Sequence, residues 1–301
     1  MPDLTKRDFR LGVSTQYDHQ LAYINPEFEN KIISHIVGNY MDNSTFPLYL
    51  AVHGNKGEGK TFQTLRICSN HGLTVYYFSG AMLCGSYEKD SIGDIEENRK
   101  NALYKFQTEK ELSVFVVDDF HLSIASTEVG VGRTVNSQIL TGTLMNWADE
   151  AKAIKNRRIP FILLGNDFNN LYEPLTRDGR MDFFEWNPTI EEKIEIVCSH
   201  FDDIIYENDG KRKLIDLVRQ LHARPVSFFA EIKNDLSKTI VSNYLKSNPT
   251  VPLKTVLNKL NSLPLANKTS VISEIYRLAN ERIVNTKKKS HEKRNGLYHH
   301  E

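Results

Sequence analysis

The sequence has little cysteine and no long apolar run, and each of these shortages excludes a class of protein. Cysteine occurs only three times in 301 residues, at Cys68, Cys84 and Cys198. An odd number of isolated cysteines, with no pair at zinc-binding spacing, argues against a disulfide framework and against a zinc site. No stretch approaches the roughly 18 consecutive apolar residues that predict a membrane-spanning helix. We therefore expect reduced thiols and no membrane partner.

An excess of charge of one sign is also missing, because 38 Lys and Arg residues balance 38 Asp and Glu residues. The isoelectric point is about 7.2, so the whole chain has no field that attracts nucleic acid or anionic lipid. The first residues, 1–6, hold no apolar signal-peptide core. A cytoplasmic location is expected, and nucleic acid is not expected as a partner.

The most informative segment that is present is glycine-rich and follows an apolar, strand-like run at residues 48–52. It fits the pattern G-x-x-x-x-G-K-T with Gly54, Asn55, Lys56, Gly57, Glu58, Gly59, Lys60 and Thr61. Glycines allow left-handed turns, so consecutive backbone N–H groups can point at one anion. A helix starting near Lys60 adds its positive end, the lysine would reach the β- and γ-phosphates of a nucleotide, and the Thr61 hydroxyl would bind Mg²⁺. The alternative is a surface turn that matches the pattern by chance.

A second apolar run, at residues 112–117, ends in two carboxylates, Asp118 and Asp119. In a site that hydrolyses nucleotides, the first acid would hold the Mg²⁺ shell and the second would orient the attacking water. The alternative is an ordinary buried strand that ends in a solvated acidic turn. The distance from the glycine-rich segment suits the first interpretation.

A third apolar run, at residues 159–164, leads into a polar amide, Asn166, and then into the segment R-D-G-R with Arg177 and Arg180. An amide at a strand tip can hydrogen-bond a γ-phosphate and the attacking water. Arginine suits contact with phosphate because its planar charge does not titrate and binds oxygens in pairs. Surface solvation with local ion pairs is the alternative for both arginines.

These motifs together resemble the AAA+ ATPases and, among them, the green-type Rubisco activases of plants and cyanobacteria. The matching phrases run over about residues 23 to 206 and are Tyr23-Ile24-x-Pro26-x-Phe28, Gly54-x-Lys56-Gly57-x-Gly59-Lys60, Val135-Asn136-x-Gln138, Thr143-Leu144-Met145-Asn146, Gly165-Asn166-Asp167-Phe168 and Leu171-Tyr172-x-Pro174-Leu175-x-Arg177-Asp178-Gly179-Arg180-Met181. The stretch from Gly165 to Met181 is the most specific. The resemblance implies an α/β P-loop core with a parallel sheet between helices and a smaller, all-helical lid. It also implies ATP and Mg²⁺ as ligands and a homo-oligomeric ring, expected to be a hexamer.

The resemblance also implies roles for single residues. Asn166 matches the sensor-1 position, and Arg177 and Arg180 match arginines that reach the γ-phosphate of the neighbouring subunit. For the sensor-2 position, the lid phrase places Lys233 there, whereas Arg224 is the nearest arginine, and the choice is left open.

Two positions after the second run depart from the family pattern. Asp118 stands where plant activases tend to have Asn, which is closer to the general AAA+ form and favours retained hydrolysis. His121 stands where the family has an acid, and we expect it to be a polar surface residue.

The client that the resemblance implies is the large subunit of Rubisco, whose inhibitory sugar phosphates would be released by pulling on a flexible segment. Two loops, near residues 83–87 and 123–133, would line the pore of the ring. Tyr87 either grips an extended peptide or is a plain loop tyrosine. A carboxysome association is expected if the source is a cyanobacterium.

Two other functions stay open. The N-terminal arm has no tryptophan, whereas plant activases use one to engage Rubisco; Trp147 and Trp186 both lie inside the core region. An activase-like remodeller with a different protein client is therefore the first alternative. The second is a nucleotide-switched loader that would bind nucleic acid through the basic residues 287–294.

The chain is expected to divide into four segments. Residues 1–22 form an N-terminal arm, 23–188 the AAA+ α/β domain, 189–285 the helical lid and 286–301 a disordered basic tail. The boundary is placed where Pro188 disfavours helix at Asn187 and Thr189 can cap a helix that starts near Ile190.

Overall fold

The structure is a computed structural model that describes residues 23–83, 88–121, 135–154, 157–169, 171–177, 179–205, 207–262 and 271–296. The described chain separates into two compact units, residues 24–187 and residues 188–296 with Tyr23, and the main division lies between Asn187 and Pro188. This division lies one residue from the predicted domain boundary. The predicted N-terminal arm, most of the first predicted pore loop (84–87) and the whole second one (123–133) lie outside the described residues.

The first unit is built on a parallel, five-stranded sheet. Its strands are β1 (Tyr49–His53), β2 (Thr74–Ser79), β3 (Ser113–Asp118), β4 (Phe161–Leu164) and β5 (Met181–Glu185). Its helices are α1 (Pro26–Tyr40), α2 (Lys60–Asn70), α3 (Gly80–Leu83), α4 (Glu88–Glu109), α5 (Val135–Ala153) and α6 (Glu173–Thr176). The predicted α/β fold class is confirmed.

The strands lie in the order β2-β3-β4-β1-β5, and every neighbouring pair is parallel. The three central strands are almost wholly buried, as continuous apolar runs predict for a sheet covered by other elements. Val52 on β1 lies opposite Leu164 on β4, and Val117 on β3 lies opposite Leu163. The glycine-rich segment, the two aspartates and Asn166 therefore leave the sheet at the same edge, where open α/β sheets bind ligands.

In the second unit every described element is a helix. These helices are α7 (Ile190–Phe201), α8 (Asn208–Gln220), α9 (Val226–Ser247), α10 (Leu253–Ser262) and α11 (Val271–Gly296). The fully buried side chains of Val218, Phe229 and Ile232 belong to one apolar core. No helix among the described residues is long and apolar enough to cross a membrane.

The start of α7 follows the predicted capping chemistry. The Thr189 hydroxyl accepts a hydrogen bond from the backbone N–H of Glu192 (3.2 Å), and the Glu192 carboxylate accepts one from the N–H of Thr189 (2.8 Å). This reciprocal capping box satisfies two backbone donors that have no partner inside the helix.

The end of the chain differs from the sequence prediction of a disordered basic tail from residue 286. In the structure, α11 continues through Gly296. Lys, Arg and Glu are good helix formers, so a run of charge does not by itself end a helix.

Candidate functional site

The glycine-rich segment wraps into the start of α2 with a left-handed backbone at Gly57 (φ 81°) and Gly59 (φ 85°). Gly59 is the N-cap residue of α2 and supplies no side-chain hydrogen bond to the first turn. The N-terminal N–H groups of a helix without a side-chain cap can bind an anion, which the positive end of the helix dipole also favours. The segment thus has the backbone of a phosphate-binding loop.

Trp186, directly after β5, contacts this loop. Its backbone N–H donates to His53 (2.7 Å), and its indole Nε1 donates to the backbone carbonyl of Glu58 (2.7 Å). A Cβ atom at Gly54 would lie 2.1 Å from the Trp186 carbonyl oxygen, so only glycine fits there. Sequence reasoning missed this role, because nothing near Trp186 in the sequence indicates that it reaches a loop residue 128 positions earlier.

Lys60 connects the loop to the tip of β4. Its Nζ donates to the carbonyls of Gly54 (2.7 Å) and Asn55 (2.9 Å) and lies 3.4 Å from Oδ1 of Asn166. An ammonium group has three hydrogens, so these acceptors match its donors. Burial lowers the pKa of Lys60, and the negative charge of Asp118 acts in the opposite direction. The structure thus brings Lys60 and Asn166 together.

Asp118, at the end of β3, accepts hydrogen bonds from three directions. The Thr61 hydroxyl lies 3.1 and 3.0 Å from its two carboxylate oxygens, and the backbone N–H of Asp119 donates to Oδ1 (2.9 Å). The Tyr77 hydroxyl donates to Oδ2 (2.8 Å). Tyr77 is a residue that sequence reasoning missed. The hydroxyl and the carboxylate predicted to hold Mg²⁺ therefore lie in contact.

Asp119 follows with an exposed side chain and a left-handed backbone, at φ 51°. Among non-glycine residues, Asp and Asn tolerate this region best. The turn leaves the second carboxylate exposed, away from the sheet core. A group that acts on water at the surface of the site needs such a position.

His121 is half-buried beside Asn166, which corrects the expectation of a polar surface residue. Nδ2 of Asn166 lies 3.5 Å from Nε2 of His121. Since Oδ1 of Asn166 faces Lys60, its amide nitrogen faces His121, and Nε2 must be the accepting nitrogen. Nδ1 is buried and has no hydrogen-bond partner within the part of the chain that is described.

The two predicted arginines have different surroundings. Arg177 is exposed, and its side chain makes no ion pair with any described residue. Arg180 is only 16% exposed and binds both carboxylate oxygens of Asp149, at 3.0 and 2.7 Å, and the carbonyl of Pro174 at 2.5 Å. The hydrogen bonds from Arg180 lower the pKa of Asp149. Arg180 is thus engaged within its own subunit, whereas Arg177 faces outward.

Both candidates for the sensor-2 position lie in the second unit. Lys233 donates to the carboxylate of Asp203 (2.7 Å) and the carbonyl of His200 (2.6 Å). The Arg224 guanidinium lies 5.4 Å from the centre of the Phe228 ring. The assignment of Lys233, with Arg224 as alternative, stays a prediction.

Comparison with known proteins identifies one family. Residues 50–189 match the family model of the ATPase family associated with various cellular activities (AAA).

The chain is also similar to proteins named ribulose bisphosphate carboxylase/oxygenase activase. It is 31% identical over 240 residues to the one from Nostoc sp. (74% of this chain, 56% of that protein). It is 30% identical over 286 residues to the one from Anabaena sp. (88% and 66%). The chloroplastic activase of Phaseolus vulgaris is 32% identical over 235 residues (70% and 49%). The chain spans about half to two thirds of the length of these relatives.

Proposed function

The chain belongs to the AAA family of ATPases and is related to Rubisco activases, and we propose that it hydrolyses ATP to remodel a protein client. The observation that carries this proposal is the contact between the Thr61 hydroxyl and the Asp118 carboxylate. This contact brings the glycine-rich segment next to the acidic end of β3. Hydrolysis of a nucleotide needs both groups, one on each side of the same metal–nucleotide complex.

The backbone of the glycine-rich segment and the first turn of α2 would hold the phosphates, from Gly54 to Thr61. Lys60, which now donates to the loop carbonyls of Gly54 and Asn55, would donate to phosphate oxygens instead. Its charge would offset the negative charge of the phosphates.

Thr61 and Asp118 would hold Mg²⁺. Hydroxyl and carboxylate oxygens are the ligands that Mg²⁺ prefers, and the two groups already lie within 3.1 Å of each other. When bound, the ion would neutralise charge on the phosphates.

Asp119 and Asn166 would act on the attacking water. Asp119 would accept its proton or orient it, and the amide of Asn166 would hold the water or the γ-phosphate. The contacts of Asn166 with Lys60 and His121 support this role, because they keep the amide at the strand tip in one orientation.

We propose a homo-oligomeric ring, expected to be a hexamer, in which Arg177 reaches the nucleotide of the neighbouring subunit. Its exposure supports this role. Arg180 would help to position this segment through Asp149, and contact with the neighbouring nucleotide would require it to leave that carboxylate. The proposed location is the cytoplasm.

Changing Arg177 to Ala is expected to lower ATP turnover by about 10³- to 10⁵-fold, because it removes a charge that stabilises the transition state. ATP affinity and melting temperature should stay at the wild-type values, since the side chain is exposed. Phosphate release, calorimetric titration with ATP and thermal unfolding measure the three quantities. The exposed Arg212 of α8, changed to Ala, is the matched control.

The same assay separates Arg177 from Arg180. Arg180→Ala should lower the melting temperature as well, because Asp149 loses both hydrogen bonds. A mixture of Arg177→Ala and Lys60→Ala subunits should recover part of the turnover, since each variant keeps the half-site that the other lacks. Normal turnover in pure Arg177→Ala would contradict the role in trans.

The proposed client is Rubisco, on the basis of the relatives' name. The test is a reactivation assay in which uncarbamylated green-type Rubisco, inhibited by ribulose bisphosphate, is mixed with this protein and ATP. Carboxylation should recover with the wild-type chain and not with Asp119→Asn. ATP turnover without recovery would reject Rubisco and leave a remodeller of another client, to be captured with the same variant.

A further inference from the structure

The end of β2 makes two contacts with the acidic turn after β3. The side chain of Tyr77 donates its hydroxyl hydrogen to Oδ2 of Asp118. Three residues on, the backbone at Gly80 approaches so closely that an added Cβ would lie 2.4 Å from the carbonyl oxygen of Asp119. These contacts follow from the parallel pairing of β2 with β3, in which Ser79 lies opposite Asp118.

We propose that Tyr77 is a positioning residue for the metal–nucleotide complex: its phenol holds the Asp118 carboxylate in the orientation that receives Mg²⁺. The inference deepens the proposed function and depends on it. Tyr77 itself would not touch the nucleotide or the metal, since its hydroxyl is directed at the carboxylate.

The chemistry of the phenol suits this task. A phenol is neutral in the physiological pH range, so it orients the carboxylate without cancelling the negative charge that a divalent cation needs. A lysine or arginine at this place would form an ion pair and compete with the metal. Groups that hydrogen-bond a metal ligand from behind typically change metal affinity by about 10- to 100-fold when they are removed.

Tyr77 also differs from the other donors to Asp118. Thr61 belongs to the glycine-rich segment and is itself a proposed metal ligand, and the N–H of Asp119 belongs to the same turn as the carboxylate. Tyr77 reaches Asp118 from a different strand and is half-buried at its place on β2. It therefore holds Asp118 from a strand that is separate from both of the segments that would bind the ligand.

The variant Tyr77→Phe tests the proposal, because it removes one oxygen and keeps the ring and the approach of Gly80. Binding of ADP is measured by calorimetry with excess EDTA and then at increasing free Mg²⁺. The free Mg²⁺ concentration at half-effect should rise about tenfold or more. The affinity for ADP without metal should equal that of the wild type, because no phosphate contact changes.

Tyr49→Phe is the matched control. Tyr49 lies in the same sheet, and its hydroxyl donates to the carbonyl of Leu144 (2.6 Å), away from the aspartates. This variant should keep the wild-type Mg²⁺ dependence, whatever it does to the melting temperature.

The outcomes are distinct. An unchanged Mg²⁺ half-effect in Tyr77→Phe would overturn the role of Tyr77 and leave the proposed function standing. An equal loss of ADP affinity with and without metal would also overturn it, since that result indicates a general loss of structure. A wild-type chain that binds no nucleotide, with Mg²⁺ or without it, would overturn the proposed function as well.

Discussion

The variant Lys60→Ala is expected to bind ATP about 10- to 150-fold more weakly than the wild type. Lys60 is the cation beside the phosphate-binding loop, and a hydrogen bond to a charged group contributes about 1.5–3 kcal/mol, where 1.4 kcal/mol is a factor of ten. Its removal would leave the negative phosphates facing a loop close to Asp118 without compensation. Titration with ATP and Mg²⁺ by calorimetry measures the change.

Lys56→Ala is the control for this variant, because Lys56 lies in the same glycine-rich segment and its side chain is exposed. Its removal changes the net charge equally and should shift ATP affinity by only a few-fold. If the two variants weakened ATP binding to the same extent, the effect would be one of overall charge, and the specific role of Lys60 would be wrong.

The second large effect is expected for Asp119→Asn, which should lower ATP turnover by about 10²- to 10⁴-fold, the usual contribution of a general base. Asn tolerates the left-handed backbone at this position as well as Asp does, so the turn should keep its shape. ATP binding should be retained, because Asp119 is not placed among the phosphate-binding groups. The variant should therefore accumulate bound ATP, which release of phosphate and quantification of bound nucleotide together detect.

Asp167→Asn serves as the control, since Asp167 is another exposed aspartate that follows a strand of the same sheet. Its carboxylate accepts a hydrogen bond from the backbone of Asn169, which an amide oxygen can replace. Turnover in this variant should stay near the wild-type value. A normal turnover in Asp119→Asn would instead show that another group acts on the water.

The local sequence pattern was sufficient to predict much of the fold. The three strands predicted at residues 48–52, 112–117 and 159–164 all occur, with ends within one or two residues of the expected ones. They were predictable because continuous apolar runs of four to six residues, ended by polar groups, are typical of buried parallel strands. The cap at Thr189 was predictable for a similar reason, since capping depends on residues three positions apart.

Several elements were not predicted individually, and β5 and α9 show the physical reason. The strand β5 exposes Phe183 and Glu185 and lies at the edge of the sheet, so it lacks the continuous apolar run of the central strands. Helix α9 buries Phe229, Ile232 and Leu236, but the rest of its length is exposed or half-buried. The periodic apolar pattern of a buried helix is therefore weak in its sequence. In both cases packing against other parts of the chain, and not local preference, selects the element.

By itself, the sequence determined the chemistry that the site can offer: a glycine-rich loop with Lys60 and Thr61, two aspartates after one strand, and an amide after another. Each of these is encoded within a few consecutive residues. Only the tertiary structure decided which distant groups support them. The order β2-β3-β4-β1-β5 brings Tyr77 to Asp118 and places Trp186 under the glycine-rich loop.

The two arginines differ in their surroundings for the same reason. Arg177 and Arg180 are three residues apart and equivalent in the sequence pattern, yet one is exposed and the other is bound to Asp149 on α5. Side-chain partners of this kind depend on which elements become neighbours when the sheet and its helices assemble. That information is distributed over the whole unit and is absent from any single segment.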